Sequence, residues 1–358
     1  MRTGRRHFLG GLIVTGLIPK PTWADAGSPA FLAAAGTAQG DFLLCGLRAD
    51  LSISFKLPLP ARGHAGAGHP KRPEAVAFAR RPGTFAVVIN CATGQQVATL
   101  TAPEGRHFYG HGTFSADGST LYTTENDYDA GQGRIGLWDA ANGYRRMGEW
   151  NSGGVGPHDI RRLPGSDVLI VANGGIDTHP ETGRVKLNIP TMRPNLTYID
   201  RGTVVEQARL PEEMHKNSIR HLAVSDAGVV ALGMQWEGDG SPEGLVATHR
   251  RGEAIQLMQA PRDDVRRMNG YIGSMACSVD GTSIAATSPR GNEVQLFDGK
   301  TGKLVQAKTI EDACGVATSG SRFVVTSGTG AVEVLASKKR TKQPFMFDNH
   351  LVALGAAI

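Results

Sequence analysis

Sustained helical periodicity is missing from this 358-residue sequence: after the first 26 residues, apolar side chains nowhere keep to i, i+3, i+4 spacing. No run of about 18 apolar residues occurs, so no membrane-spanning helix is expected. There is no GxGxxG after a strand, no Walker A loop, no GxSxG elbow and no HExxH. No CxxCH occurs, which argues against covalently attached haem. Zinc-finger, RNP and basic-helix signatures are missing too. The formal charge of +5 comes partly from the N-terminal leader and partly from Lys338-Lys339-Arg340, so no nucleic-acid partner is expected. Aromatic residues make up only 6%, which leaves little for the exposed rim of an interaction scaffold. The four cysteines (Cys45, Cys91, Cys277, Cys314) form no CxxC, and three disulfide pairings stay open.

What the sequence does have is turns, with 47 glycines and 19 prolines. Between them lie short runs rich in β-formers. The clearest unit spans residues 111–150. A strand from His111 enters the turn Ser115-Ala116-Asp117-Gly118; Leu121–Thr124, Ile135–Asp139 and Arg146–Trp150 supply three more. Four short strands joined by turns make one propeller blade. Similar units open at His64, His158, Ser218, Ser274 and Cys314, the last closing with a strand over Pro344–Phe347. The ends supply half-units: Phe31–Ala35, Phe42–Leu47 and Ile53–Leu57 lack an opening strand, and His350–Gly355 is an opening strand with nothing after it. If the C-terminal strand completes the N-terminal blade, seven blades close with no free sheet edge. The expected fold is therefore an all-β, seven-bladed β-propeller forming one domain over residues 27–358.

Residues 1–26 read as an export signal. Arg5-Arg6-His7-Phe8-Leu9 is a twin-arginine pattern, Phe8–Ile18 is a short apolar stretch, and Ala24-Asp25-Ala26 is a small-x-small cleavage pattern. The order resembles a Tat signal, which implies a periplasmic protein carried across the membrane already folded.

Two further resemblances follow. Ser115–Gly118 and Ser278–Gly281, with Leu137-Trp138-Asp139 and Leu296-Phe297-Asp298, look like WD40- and YVTN-type repeats. The mature chain also resembles the bacterial family DUF1513. The segments that carry this are His107–His111, Gly156-Pro157-His158-Asp159, Asn173–Pro180, Met192-Arg193-Pro194 and Ser218–Leu222. The resemblance implies export and an envelope iron or metal context, because such proteins are often encoded beside imelysin-like and dihaem oxidoreductase proteins. It implies no catalytic residue.

The blades share one further feature. His111, His158 and His221 each stand seven residues ahead of a turn glycine: Gly118, Gly165 and Gly228. His64 stands seven ahead of Lys71 in the turn Lys71-Arg72-Pro73, and His350 opens the closing strand. The same register gives Ser274 and Cys314 in the remaining blades. A propeller's first strands line its central channel, so this register must form a ring reading His350, His64, His111, His158, His221, Ser274, Cys314. Histidine is only 11 of the 358 residues, and chance seldom aligns five. Clustered neutral imidazoles suit copper, zinc, iron or nickel, and a thiolate at Cys314 would favour copper.

The expected metal ligands are therefore His64, His111, His158, His221, His350 and Cys314, holding iron or copper. His69, His107, His179, His215, Glu125, Asp127 and Asp159 are candidates for supporting or rim roles. His249 reads as a solvated strand end. Three functions compete: an envelope metal-handling or redox protein with other envelope iron or redox proteins as partners; a lyase- or lactonase-type enzyme using a channel histidine as general base on a small molecule; and a non-catalytic scaffold. Whether the chain is an enzyme stays open.

Overall fold

The computed structural model describes residues 21–79, 84–183 and 185–354. Most of the leader, including Arg5 and Arg6, lies outside the described residues. Within them the chain forms seven four-stranded antiparallel sheets. The inner strands are Met346–Ala353, Gly63–Gly68, Arg106–Phe114, Pro157–Arg162, Asn217–Val224, Ser274–Cys277 and Ala313–Ser319. In that order each lies beside the next, and the last returns to the first. The molecule is a seven-bladed β-propeller.

Closure occurs as the split half-units predict. Phe31–Gly36 pairs on one side with Phe42–Leu47 and on the other with the C-terminal strand, Phe31 opposite Ala353 and Leu32 opposite Val352. One boundary differs from expectation. The seventh blade's outer strand is Arg340–Lys342, and Phe347 belongs to the closing strand Met346–Ala353. Phe347 and Phe345 sit in the core between the first and seventh blades, beside Leu47 and Val332, so apolar burial claims them.

The repeated Ser-x-Asp-Gly signal has a local cause. Ser115 Oγ donates to Asp117 Oδ1 at 2.7 Å, and the Ser119 backbone N–H donates to the same oxygen at 2.9 Å. Ser278, Asp280 and Thr282 repeat the arrangement, so a short acceptor side chain fixes the same tight turn in both blades. Large apolar residues fill the seams between blades. Phe78, Phe108 and Trp138 join the second and third, while Tyr122, Ile135, Ile160 and Leu169 join the third and fourth.

The first described residues also pack on the ring. Residues 23–27 form a turn, and Trp23 Nε1 donates to the His69 carbonyl at 3.0 Å.

Candidate metal centre

The inner strands do not run regularly past the histidines. In six of the seven, pairing with the next strand shifts register at or immediately before the expected site residue. His64 and Ala65 fall between the paired residues Gly63 and Gly66, and residues 109–111 between Phe108 and Gly112. His158 falls between Pro157 and Asp159, and residues 348–350 between Phe347 and Leu351. In the fifth blade the extra residue is Arg220, just before His221. A β-bulge releases a side chain from strict alternation and re-aims it. The sixth blade, which carries Ser274, has no such shift.

The bulges gather five imidazoles into one cluster, in which His111, His221 and His350 are buried and His64 is half-buried. His111 lies in the middle. Its ring centroid is 5.1 Å from His64, 5.0 Å from His158, 6.1 Å from His221 and 4.7 Å from His350. Around it, His64 and His350 are 4.7 Å apart, His158 and His221 4.8 Å, and His221 and His350 5.0 Å. Nitrogens of His64, His111 and His158 lie within 4.8 Å of one another, and so do those of His111, His221 and His350. Imidazoles around one ion, each about 2.0–2.1 Å from it, sit about 3.3 Å apart, so side-chain shifts on the order of 1 Å close either group. His64 reaches this position because Gly110 has φ +98° and no Cβ; one there would come within 2.7 Å of His64 Cδ2.

Fixed partners orient two of the rings. His111 Nδ1 is 3.1 Å from Asp159 Oδ1, and His158 Nδ1 lies 3.0 Å from the Arg220 carbonyl. A carbonyl only accepts, so His158 donates from Nδ1 and presents Nε2 as its lone pair. Asp159 also accepts from the Ile160 and Leu222 backbone N–H groups, at 2.8 and 3.0 Å, and from Arg161 at 3.4 Å. Burial opposes ionisation of Asp159, but the Arg161 charge, His111 and the Leu222 N–H outweigh it and hold the carboxyl below its usual range. A histidine that donates one nitrogen to a carboxylate or carbonyl and offers the other is the usual arrangement of a metal-ligating imidazole. His64 Nδ1 lies 3.9 Å from Asp348 Oδ1, and Arg62 pairs with that carboxylate.

His111 Nε2, both ring nitrogens of His221, and His350 Nε2 are buried without a hydrogen-bond partner. Burial pushes His158, His221 and His350 well below the ordinary imidazole range, and the neighbouring histidines push the same way. Neutral imidazoles with open lone pairs are what a metal ligand requires.

A small chamber lined by His111, His221, His350, Asp159, Arg161 and Ser274 holds about 20 Å³ of free space. Arg161 also lines a vestibule of about 580 Å³ toward the ends of the inner strands. Ser274 Oγ accepts the Val316 N–H at 3.2 Å.

The other expected residues go elsewhere. Cys314 sits at the bulge of the seventh blade, but its thiol reaches the Asp312 carboxylate at 3.5 Å and belongs to neither three-histidine group. Burial first, and Asp312 second, push it up. None of the four cysteines is disulfide-bonded. His69 clamps a turn: Nδ1 accepts from the Lys71 and Arg72 N–H groups, and Nε2 donates to the Gly118 carbonyl of the next blade at 3.0 Å.

His107 lies 3.2 Å from Asn126 and stacks on Tyr128. His179 caps a short 3-10 turn, accepting from Glu181 N–H, with Asp129 3.5 Å away. His215 bonds the Glu212 carbonyl in an exposed turn. Glu125 and Asp127 belong to an ion network with Arg106, Arg134, Arg146 and Glu149 in the third blade. His249 is a correction: it is buried, 2.8 Å from the Tyr198 hydroxyl and 2.9 Å from the Glu253 carbonyl. Arg161, which lines the chamber beside the histidines, is a site residue that no motif or register in the sequence singled out.

The fold and the site together define a seven-bladed propeller with histidine groups near its axis that could hold a metal ion. A family model described as "Protein of unknown function (DUF1513)" matches residues 57–354, and the chain belongs to that family. No curated protein matches the sequence. Among solved structures, a chain of Kuenenia stuttgartiensis hydrazine synthase superposes with a TM-score of 0.64, covering 91% of this chain and 99% of that one at 14% identity. That likeness shows a shared fold. Among the described residues no helix is long and apolar enough to cross a membrane.

Proposed function

We propose that this protein is a periplasmic propeller, exported through the Tat pathway, that holds iron or copper in its axial histidine cluster and serves envelope metal handling or redox chemistry. The observation that carries the reading is the set of buried, unpartnered nitrogens of His111, His221 and His350, which converge from three blades. A buried polar atom without a partner costs about 1–3 kcal/mol, and a bound cation would offset several such costs at once. The donors are imidazoles braced by Asp159 and the Arg220 carbonyl, a set suited to borderline transition metals. The thiol of Cys314 is left out of the ligand set. The twin-arginine leader supports export, and an iron or redox protein of the envelope is the partner class that fits.

The enzyme reading is less well supported. A lyase or lactonase needs substrate atoms within hydrogen-bond reach of its general base. The chamber beside His111 holds about 20 Å³, room for an ion or one water. A scaffold is less well supported too: large exposed apolar residues such as Val97, Met147, Val204 and Val305 are spread over several blades.

The test is elemental mass spectrometry on protein exported natively, beside a folded variant carrying His111→Ala, His158→Ala and His221→Ala. Stoichiometric iron or copper, lost in the variant, supports the reading. Metal in neither sample, even after reconstitution, sinks it.

A further inference from the structure

We propose that the cluster takes a single cation, with two alternative three-histidine seats that share one ligand atom, His111 Nε2. This rests on the metal reading above and adds stoichiometry and internal geometry to it. His64, His111 and His158 form one seat; His111, His221 and His350 form the other.

The sharing follows from hydrogen bonding. Both oxygens of Asp159 already accept N–H donors, from Ile160 on one and from Leu222 and Arg161 on the other. The group is an acceptor, so the His111 nitrogen facing it at 3.1 Å must be the protonated one. Only Nε2 is left with a lone pair, and it is buried and unpartnered. One lone pair binds one ion. An imidazole bridging two metals would have to give up its Nδ1 proton and the Asp159 bond together. Filling one seat therefore empties the other, although five histidines are present.

The seats differ in surroundings. In the first, His158 is fixed by the Arg220 carbonyl, and His64 has Asp348 nearby. The second borders the small chamber, where Arg161 and the Ser274 hydroxyl also lie. His221 has no hydrogen-bond partner on either nitrogen, so no hydrogen bond fixes which of the two it offers. An ion in the first seat meets two ligands, His111 and His158, whose other nitrogens are held by Asp159 and the Arg220 carbonyl. An ion in the second has free space beside it for one water-sized exogenous ligand. Because His111 stays bound in both, a cation can pass between them by exchanging two ligands and keeping the third, on the chamber side that leads past Arg161 to the vestibule.

The experiment is titration of metal-free full-length protein with cobalt(II), read by native mass spectrometry and by the ligand-field spectrum. Wild type should bind one cobalt. The pair His64→Gln/His158→Gln and the pair His221→Gln/His350→Gln should each still bind one, with different spectra. His111→Gln should weaken binding at least tenfold. Circular dichroism checks folding; a double variant that fails it is replaced by the single substitutions His64→Gln and His221→Gln, scored the same way. Two cobalt ions in wild type overturn the proposal. So does loss of binding in one double variant with full retention in the other, because that leaves one seat and keeps the metal reading intact. No cobalt, zinc, iron or copper bound by wild type overturns the metal reading and this proposal with it.

Discussion

Acid should destabilise the metal-free protein in a window set by three histidines. His158, His221 and His350 are buried, and burial together with their neighbours holds each well below the ordinary imidazole range. Arg220 and Arg161 face the cluster and push the same way, while Asp159 opposes them at His221. In the unfolded chain each titrates near its usual value of about 6.5. Below that value the unfolded state binds more protons than the folded one, so stability falls as pH falls. At pH 7.5 the effect is under about 0.1 kcal/mol per histidine. At pH 5.5 it is about 1.4 kcal/mol each, or about 4 kcal/mol for three that stay neutral. A domain has only about 5–15 kcal/mol in total. Asp159 is held low, so its contribution is lost only below the ordinary carboxylate range, a separate window. The assay is urea unfolding of metal-free protein at pH 7.5, 6.5 and 5.5, beside a variant with all three histidines changed to Gln. The wild-type midpoint should drop steeply below pH 6.5, and the variant's should not. A wild-type midpoint that is flat from pH 7.5 to 5.5 would refute the view that these rings are held neutral.

Three other outcomes are expected. Asp159→Asn should lower metal affinity about 10–100-fold, read by competition with a chelating dye, because the brace on His111 weakens. Gly110→Ala adds a Cβ against His64 at a positive φ and should cost about 1–3 kcal/mol in thermal or urea unfolding. Burial pushes the thiols of Cys45, Cys91 and Cys277 up to about 12, so a thiol reagent at pH 8 should label the protein only after denaturation, and all four cysteines should then react.

The blades were legible because their punctuation is chemical: Asp117 and Asp280 make the same capped turn, and the sequence signal and the bond coincide. The half-blades at the two ends were legible by the need to leave no open edge. The site was legible as a register, since His111, His158 and His221 count back equally from their turn glycines. The bulges that turn those side chains inward were not, because a bulge is defined by the partner strand. For the same reason Cys314 keeps the register without joining either group, its thiol taken by Asp312. Asp159 was visible as a neighbour of His158, yet it braces His111 across the blade boundary. His249 was read as solvated because its covering partner, Tyr198, lies 51 residues away in another blade. Glu125 and Asp127 carry the right chemistry for a metal site, but the arginines of their own blade occupy them.

Anomalous diffraction from crystals of the protein loaded with iron or copper, collected at that metal's absorption edge, would locate the ion. One peak per chain is expected, about 2.0–2.1 Å from His111 Nε2, with either His64 and His158 or His221 and His350 completing the site. A peak bound instead to Cys314, or no peak near His111 in protein that carries the metal, would contradict this expectation.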